Sequence, residues 1–256
     1  MSATAIIYGL HAVRAVLAHR PRDITRLSLA AGRDDARMRE LREFAGTRGV
    51  QATTVPVKTL DEACGGAAHQ GVVAEVRPSV ALNENGLLDL VVGATAPALV
   101  LVLDGVSDPH NLGACLRTAD AAGALAVVAP RDRAAGLTPV VRKVAAGAAE
   151  TVAFAQVTNL ARALKDLKDA GLWIVGTAGD AEQAVFDADL SGPLAVVMGS
   201  EGRGLRRLTR EACDFEVRLP MQGAVQSLNV SVAAGIVLFE ALRQRRPAVA
   251  KTERVR

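Results

Sequence analysis

Apolar positions along this chain follow two rhythms. Up to Pro78 they come in short, separated groups. A helix is predicted from Gly9 to His19, then a strand over "RLSLAAG" and a charged helix from Asp34 to Arg48. "VQATTVPV" reads as a second strand and "TLDEACG" as a short helix closed by Gly65 and Gly66. "QGVVAEVRP" is a third strand, stopped by Pro78. Residues 79–96 mix Asn, Gly and polar groups with one short apolar helix, which reads as a linker. From Pro97 the pattern is more regular. "ALVLVLD", "LAVVAP", "TVAFAQV", "LWIVGTAG" and "LAVVMGS" are nearly continuous apolar runs, each ending in Gly, Pro or polar residues, with helical periodicity between most of them. Such runs predict a parallel sheet covered on both faces, in a doubly wound α/β arrangement.

The last periodic stretch, "LPMQGAVQSLNVSVAAGIVLFEAL", reads as a buried helix in which Val232, Ile236, Val237, Phe239 and Leu242 crowd together. Its mouth is polar, with Gln226, Ser227, Asn229 and Ser231. If the helix starts there, Ser227 is an N-cap, Asn229 lies in the first turn, and Ser227 and Ser231 share a face. Capping accounts for one or two of these four residues, not for all. The final ten residues, "PAVAKTERVR", read as a polar, flexible tail.

Composition narrows the picture. Half of the 256 residues are hydrophobic but only 3% are aromatic, so the core must be built of Ala, Val and Leu. That disfavours an RNA binder working mainly by stacking bases on aromatic platforms. Net charge is +3, and the basic residues are mostly Arg, whose planar fork suits phosphate and carboxylate. Cys64, Cys115 and Cys213 are far apart and match neither a disulfide framework nor, with four scattered His, a zinc pattern. No signal peptide or membrane-spanning run is visible, so a cytoplasmic protein with no membrane contact is expected.

In an open parallel sheet, ligands bind beyond the carboxyl ends of the strands. After "ALVLVLD" comes "GVSDPHNLGACLRTADAAGA", where Asp104 ends the strand, Asp108-Pro109 turns, and a helix is predicted to begin near Asn111, with Arg117 six residues on. After "LAVVMG" comes "SEGRGL", where Gly199, Gly202 and Gly204 have neither the dinucleotide nor the P-loop spacing and Glu201 is the one acid. With the mouth of the last helix, these make three polar, glycine-rich loops late in the sheet. No Ser-His-Asp order, Cys/His pair or metal cluster accompanies them. The residues alone lead as far as an α/β enzyme that positions a polar cofactor.

"LDGVSDPHNLGACLRTADAAGA", "VVMGSEGRGL" and "LPMQGAVQSLNVSVAAGIVLFEALRQ" resemble, in order, the three motifs of the SpoU, or TrmH, branch of the SPOUT RNA methyltransferases. "IYGLHAV" and "HQGVVAEV" resemble the small L30e-like α/β substrate-binding domain that some members carry, and the likeness runs from Ile7 to Arg246. The resemblance implies a SPOUT domain with a deep trefoil knot around a mostly parallel sheet. The expected division is 1–77 for RNA binding, 78–96 as linker, 97–246 for catalysis, and a tail at 247–256. The implied activity is methyl transfer from S-adenosyl-L-methionine to the ribose 2′-hydroxyl of a guanosine in 23S rRNA, naked or in an assembling large ribosomal subunit, by a homodimer. Another rRNA or tRNA nucleotide, or a non-catalytic knotted RNA-binding protein, is the alternative. The family's catalytic positions fall on Asn111, Arg117, Glu201, Ser227 and Asn229. Its cofactor positions fall on Gly199, Leu219 and Leu228, with Thr177 and Gly179 nearby. Arg14, Arg22 and Arg26 are candidate phosphate contacts. His69 and Gln70 are candidate RNA readers, although a lone His before a strand is more often structural.

Overall fold

The computed structural model describes residues 4–77, 81–200 and 202–246, which form two sheets. The small unit comprises β1 (Ala5–Tyr8), α1 (Leu10–His19), β2 (Ile24–Ala30), α2 (Ala36–Thr47), β3 (Ala52–Val55), α3 (Val57–Ala63) and β4 (Val72–Val76). Its strand order is β1-β4-β2-β3, with only the β2–β3 pair parallel. β1 is absent from the expected elements. It has four residues, of which only Ile7 is buried, so its pattern carries no period; pairing with β4 makes it a strand.

His69 and Gln70 serve the small unit's own fold. Gly71 N–H donates to Nδ1 of the buried His69 at 3.0 Å, so Nε2 carries the proton and donates to Asp61 at 3.0 Å. Gln70 Oε1 accepts the N–H of Leu10 at 3.2 Å, satisfying a first-turn donor of α1 that Gly9 cannot cap. Both side chains thus have a structural role within the small unit.

The large unit begins with α4 (Glu84–Val92), in the stretch expected to be linker. Leu82 exchanges main-chain hydrogen bonds with Phe154 and Gln156, so the chain before α4 is fastened to a sheet edge. Then follow β5 (Leu99–Asp104), α5 (Pro109–Ala121), β6 (Ala126–Pro130), α6 (Pro139–Ala145), β7 (Ala153–Val157), α7 (Leu160–Asp169), β8 (Trp173–Thr177), β9 (Gln183–Ala184), β10 (Leu194–Gly199), α8 (Arg207–Ala212), β11 (Phe215–Arg218) and α9 (Val230–Arg245). The order is β7-β6-β5-β10-β8-β11-β9, every pair parallel. Leu99, Leu101 and Leu103 of β5 enter the core on one face, Val100 and Val102 on the other. Each such side chain contributes about 1.5–3 kcal/mol on burial. β10 pairs with both β5 and β8, so a late strand sits between two earlier ones.

The last helix departs from expectation at its start and on its surface. α9 begins at Val230 with Asn229 as N-cap, not at Ser227, and residues 219–229 carry no regular structure. Ser227 and Ser231 therefore do not share a helical face. Nor is the helix buried all round: Val232 and Phe239 are about half exposed, while Ala234, Val237, Leu238 and Ala241 are buried. Its far end is stapled to the amino ends of the strands, where Arg245 donates to the carbonyls of Pro97, Ala98 and Gly192.

The two units meet at a buried carboxylate. Glu150 accepts from Arg142 of α6 and, at 2.5 Å, from Arg20 at the end of α1. Arg20 also binds Asp23 and the carbonyl of Arg77. Among the described residues, no helix is long and apolar enough to cross a membrane, and no group of His, Cys, Asp and Glu could hold a metal.

Candidate functional site

The site is built where β8, β10 and β11 end. A cavity of about 410 Å³ opens there, lined by the tips of these strands, the loop after β10, the segment leading to α9 and the first turns of α9. This is a usual size for a small-molecule site, and it lies on the carboxyl side of the sheet, as open parallel sheets require.

Each wall has a local cause. Thr177 Oγ1 donates to the carbonyl of Val197 at 3.0 Å, tying the end of β8 to β10 and leaving Ala178 and Gly179 to line the cavity with backbone. After β10 the chain doubles back: Ser200 and Gly204 exchange main-chain hydrogen bonds, and the returning strand passes directly over Gly199. A Cβ on Gly199 would lie 2.3 Å from the carbonyl carbon of Gly204, so only glycine fits. The buried carboxylate of Asp104 then clamps this loop to the end of β5, accepting from the N–H of Arg206 at 2.8 Å and its Nε at 2.5 Å. These are charge-assisted bonds, the strong kind.

The mouth of α9 supplies the remaining wall. Asn229 Oδ1 accepts from the N–H and hydroxyl of Ser231, capping the helix, while Asn229 Nδ2 donates to Asn111 Oδ1 at 2.8 Å. α5 begins near Asn111 as expected, but Asn111 lies in its first turn and is not the cap. Asp108 is the N-cap of α5, accepting from the N–H of His110 at 3.0 Å, with Pro109 in the first turn. The asparagine pair thus joins the amino ends of α5 and α9, and the two positive dipole ends favour negative charge between them.

All five expected cofactor positions, Thr177, Gly179, Gly199, Leu219 and Leu228, line this one cavity, as does Ser227. Asn111 and Asn229 meet at its edge. Arg117 does not line it; it stands exposed on α5, without a hydrogen-bond or ion-pair partner among the described residues. Glu201 lies outside the described residues. Sequence reading missed Met198, Met221 and Val230, which add apolar wall, and Asp104 and Arg206, which hold the loop. Asp104 carried a usable signal: a carboxylate ending a wholly apolar strand needs a partner.

None of the lining residues described carries a charge. Apolar side chains beside glycine-rich backbone suit a flat heteroaromatic ring and a polar chain held by main-chain hydrogen bonds. Burial pushes the Cys115 and Cys213 thiols up to about 12, so neither supplies a thiolate at neutral pH.

These features define a class: an α/β protein that grips a polar small molecule by backbone beyond a parallel sheet, with two helix amino ends beside it. The sequence profile described as the SpoU rRNA Methylase family matches residues 98–239, and that described as RNA 2′-O ribose methyltransferase substrate binding matches residues 6–80. The chain belongs to the SpoU rRNA methylase family. It is 56% identical over 245 residues to the 23S rRNA (guanosine-2′-O-)-methyltransferase RlmB of Pseudomonas putida, covering 96% of this chain and 98% of that protein. To RlmB of Vibrio vulnificus it is 54% identical over 239 residues, covering 93% and 96%. Among solved structures, an RNA 2′-O ribose methyltransferase superposes with a TM-score of 0.75 at 29% identity, covering 95% of this chain and 90% of that one. The SpoU methyltransferase AviRb from Streptomyces viridochromogenes, at 24% identity, shares the fold with a TM-score of 0.78, covering 94% and 90%.

Proposed function

We propose that this protein methylates the ribose 2′-hydroxyl of a guanosine in 23S rRNA, using S-adenosyl-L-methionine. The observation that carries the chemistry is the cavity beyond the strand ends, uncharged in its described lining, with the Asn111–Asn229 pair beside Leu228 and Val230 of its wall. S-adenosyl-L-methionine supplies a methyl group on a cationic sulfonium. Leu219 and Leu228 would enclose the adenine, and the main chain at Gly179 and Gly199 would hold the polar groups.

The residues at the edge deal with the nucleophile. A neutral hydroxyl must lose a proton as it attacks, and negative charge grows on its oxygen. Arg117 cannot take that proton, because a guanidinium stays protonated. It acts instead as the cation that stabilises the developing oxyanion and holds the adjoining phosphate. A phosphate oxygen or water receives the proton. Glu201 orients Arg117 or Asn111, and Ser227 and Asn229 hold the target nucleotide. Holding the two reactants in line is worth several kcal/mol.

Arg117 stands outside its own chain's cavity, which supports a homodimer in which it serves the partner's site. The exposed stripe Val232–Phe239 on α9 offers an apolar contact for the same dimer. We place the L30e-like RNA-binding unit at 1–77, the linker at 78–96, whose α4 packs into the core of the large unit, and the catalytic domain at 97–246, in a cytoplasmic protein; the expected tail, 247–256, lies outside the described residues. The insertion of β10 between β5 and β8, with α9 packed on α5 and β10, is consistent with a trefoil-knotted chain. The deciding experiment maps ribose methylation in rRNA from cells with and without the gene: loss of one 2′-O-methylguanosine in 23S rRNA is expected. An unchanged map, with no calorimetric binding of S-adenosyl-L-methionine, would leave a non-catalytic RNA-binding protein.

A further inference from the structure

A second cavity of about 410 Å³ lies on the small unit and shares no lining residue with the first. Its walls come from the turn before β2 and from the turn between α2 and β3. They carry Arg22, Arg26 and Arg48, and no aspartate or glutamate.

Several of the small unit's other arginines are held by carboxylates: Arg14 binds Glu40 at 2.6 Å, Arg33 binds Asp35 at 2.7 Å, Arg39 binds Asp34 at 3.4 Å, and Arg20 is held by Asp23 and Glu150. The groove's three are not held in this way. Arg22 is exposed and has no side-chain partner among the described residues. The Arg48 guanidinium packs over the Phe44 ring at 5.1 Å, which restrains it without neutralising it. Arg26 is only loosely attached, 3.8 Å from Glu75. Three cations gathered around one groove repel one another unless an anion joins them. The arginine fork, planar and bidentate, matches a phosphate. The groove is also anchored: two residues before Arg22, Arg20 is bound to Glu150, which Arg142 fixes to the large unit. A strand gripped there keeps a set position relative to the catalytic sheet.

We propose that the groove formed by Arg22, Arg26 and Arg48 binds the phosphodiester backbone of the substrate RNA at a point remote from the reacting ribose. The proposal rests on the methyltransferase reading above and names where that substrate is held. The test measures binding of transcribed 23S rRNA by wild type, Arg22→Ala, Arg22→Glu and an Arg22→Ala/Arg26→Ala/Arg48→Ala triple variant across a salt series. Methylation kinetics and calorimetry with S-adenosyl-L-methionine run alongside. Arg22→Ala is expected to bind several-fold more weakly and Arg22→Glu more weakly still. For the triple variant the plot of log affinity against log salt should become shallower by about two, since each phosphate contact on single-stranded RNA contributes about 0.7 to the slope. KM for RNA rises while kcat at saturating RNA and S-adenosyl-L-methionine affinity hold. Unchanged affinity and slope in Arg22→Glu, whose exposed site tolerates the change, would overturn the proposal. So would weaker binding to ribosomal particles with naked-RNA affinity intact, which would assign the groove to an acidic protein surface. If wild type binds RNA through these arginines yet transfers no methyl group, the groove stands and the enzymatic reading falls.

Discussion

At the scale of single residues, Asn229 has two duties that chemistry can separate. Its carbonyl oxygen caps α9 and its amide nitrogen reaches Asn111. Serine is as good a cap as asparagine but is too short to bridge. Asn229→Ser should therefore keep its stability within a few tenths of a kcal/mol and lose turnover at least about tenfold, roughly 1.4 kcal/mol in the barrier. Asn229→Ala should lose about 1 kcal/mol of stability as well. Denaturation curves beside methylation rates distinguish them, and full turnover in Asn229→Ser would reduce Asn229 to a cap. Gly199 shows how far a residue can be read from sequence. Its place in a glycine-rich loop after an apolar strand was visible, whereas the reason for it, a backbone crossing over its α-carbon, exists only once Gly204 folds back.

At the scale of elements, α9 combines three surfaces. Its buried side packs on α5 and β10, its mouth lines the cavity beyond the strand ends, and its exposed stripe faces outward. Apolar density alone suggested full burial, because periodicity does not tell a core face from a contact face. On the same helix, bonds from Arg243 and then Gln244 hold the Glu240 carboxyl down to about 2, from an ordinary 4.5. A depressed carboxyl stabilises the fold above its unfolded pKa and loses that contribution as pH falls toward the folded one. Wild type should therefore exceed Glu240→Gln in stability at neutral pH, with the gap closing between pH 4.5 and about 2. Urea titrations across that range check it; a constant gap would remove the ion pair from the account.

At the scale of the whole molecule, two junctions decide how the parts cooperate. The first is Glu150 between Arg20 and Arg142. Removing the carboxylate that two arginines share strips a buried ionic set of its centre, at a cost of about 3–5 kcal/mol. Glu150→Ala should show an earlier, separate calorimetric transition for the small unit and a raised KM for RNA, with affinity for S-adenosyl-L-methionine little changed. A single cooperative transition at the wild-type temperature would deny the latch. The second junction is the proposed dimer. If Arg117 serves the partner's cavity, inactive Arg117→Ala and Asn229→Ala chains should complement when unfolded together and refolded. Roughly a quarter of wild-type activity is expected, because half of randomly paired dimers are mixed and each has one intact site. No recovery would place Arg117 in its own chain's site.

The chain's hydrophobic rhythm determined by itself the α/β class, the two-part organisation and most strands of the large sheet, because continuous apolar runs bounded by turn residues are a local property. The three motif loops were equally local, and the positions that the family resemblance marked for a cofactor share one cavity. Only the tertiary structure decided the order of the strands, with β10 between β5 and β8, since parallel pairing is a long-range choice that no window of sequence contains. It also decided what the polar mouth of the last helix is for. Asn229 and Asn111 are 118 positions apart, and only folding brings two helix amino ends to the rim of one cavity.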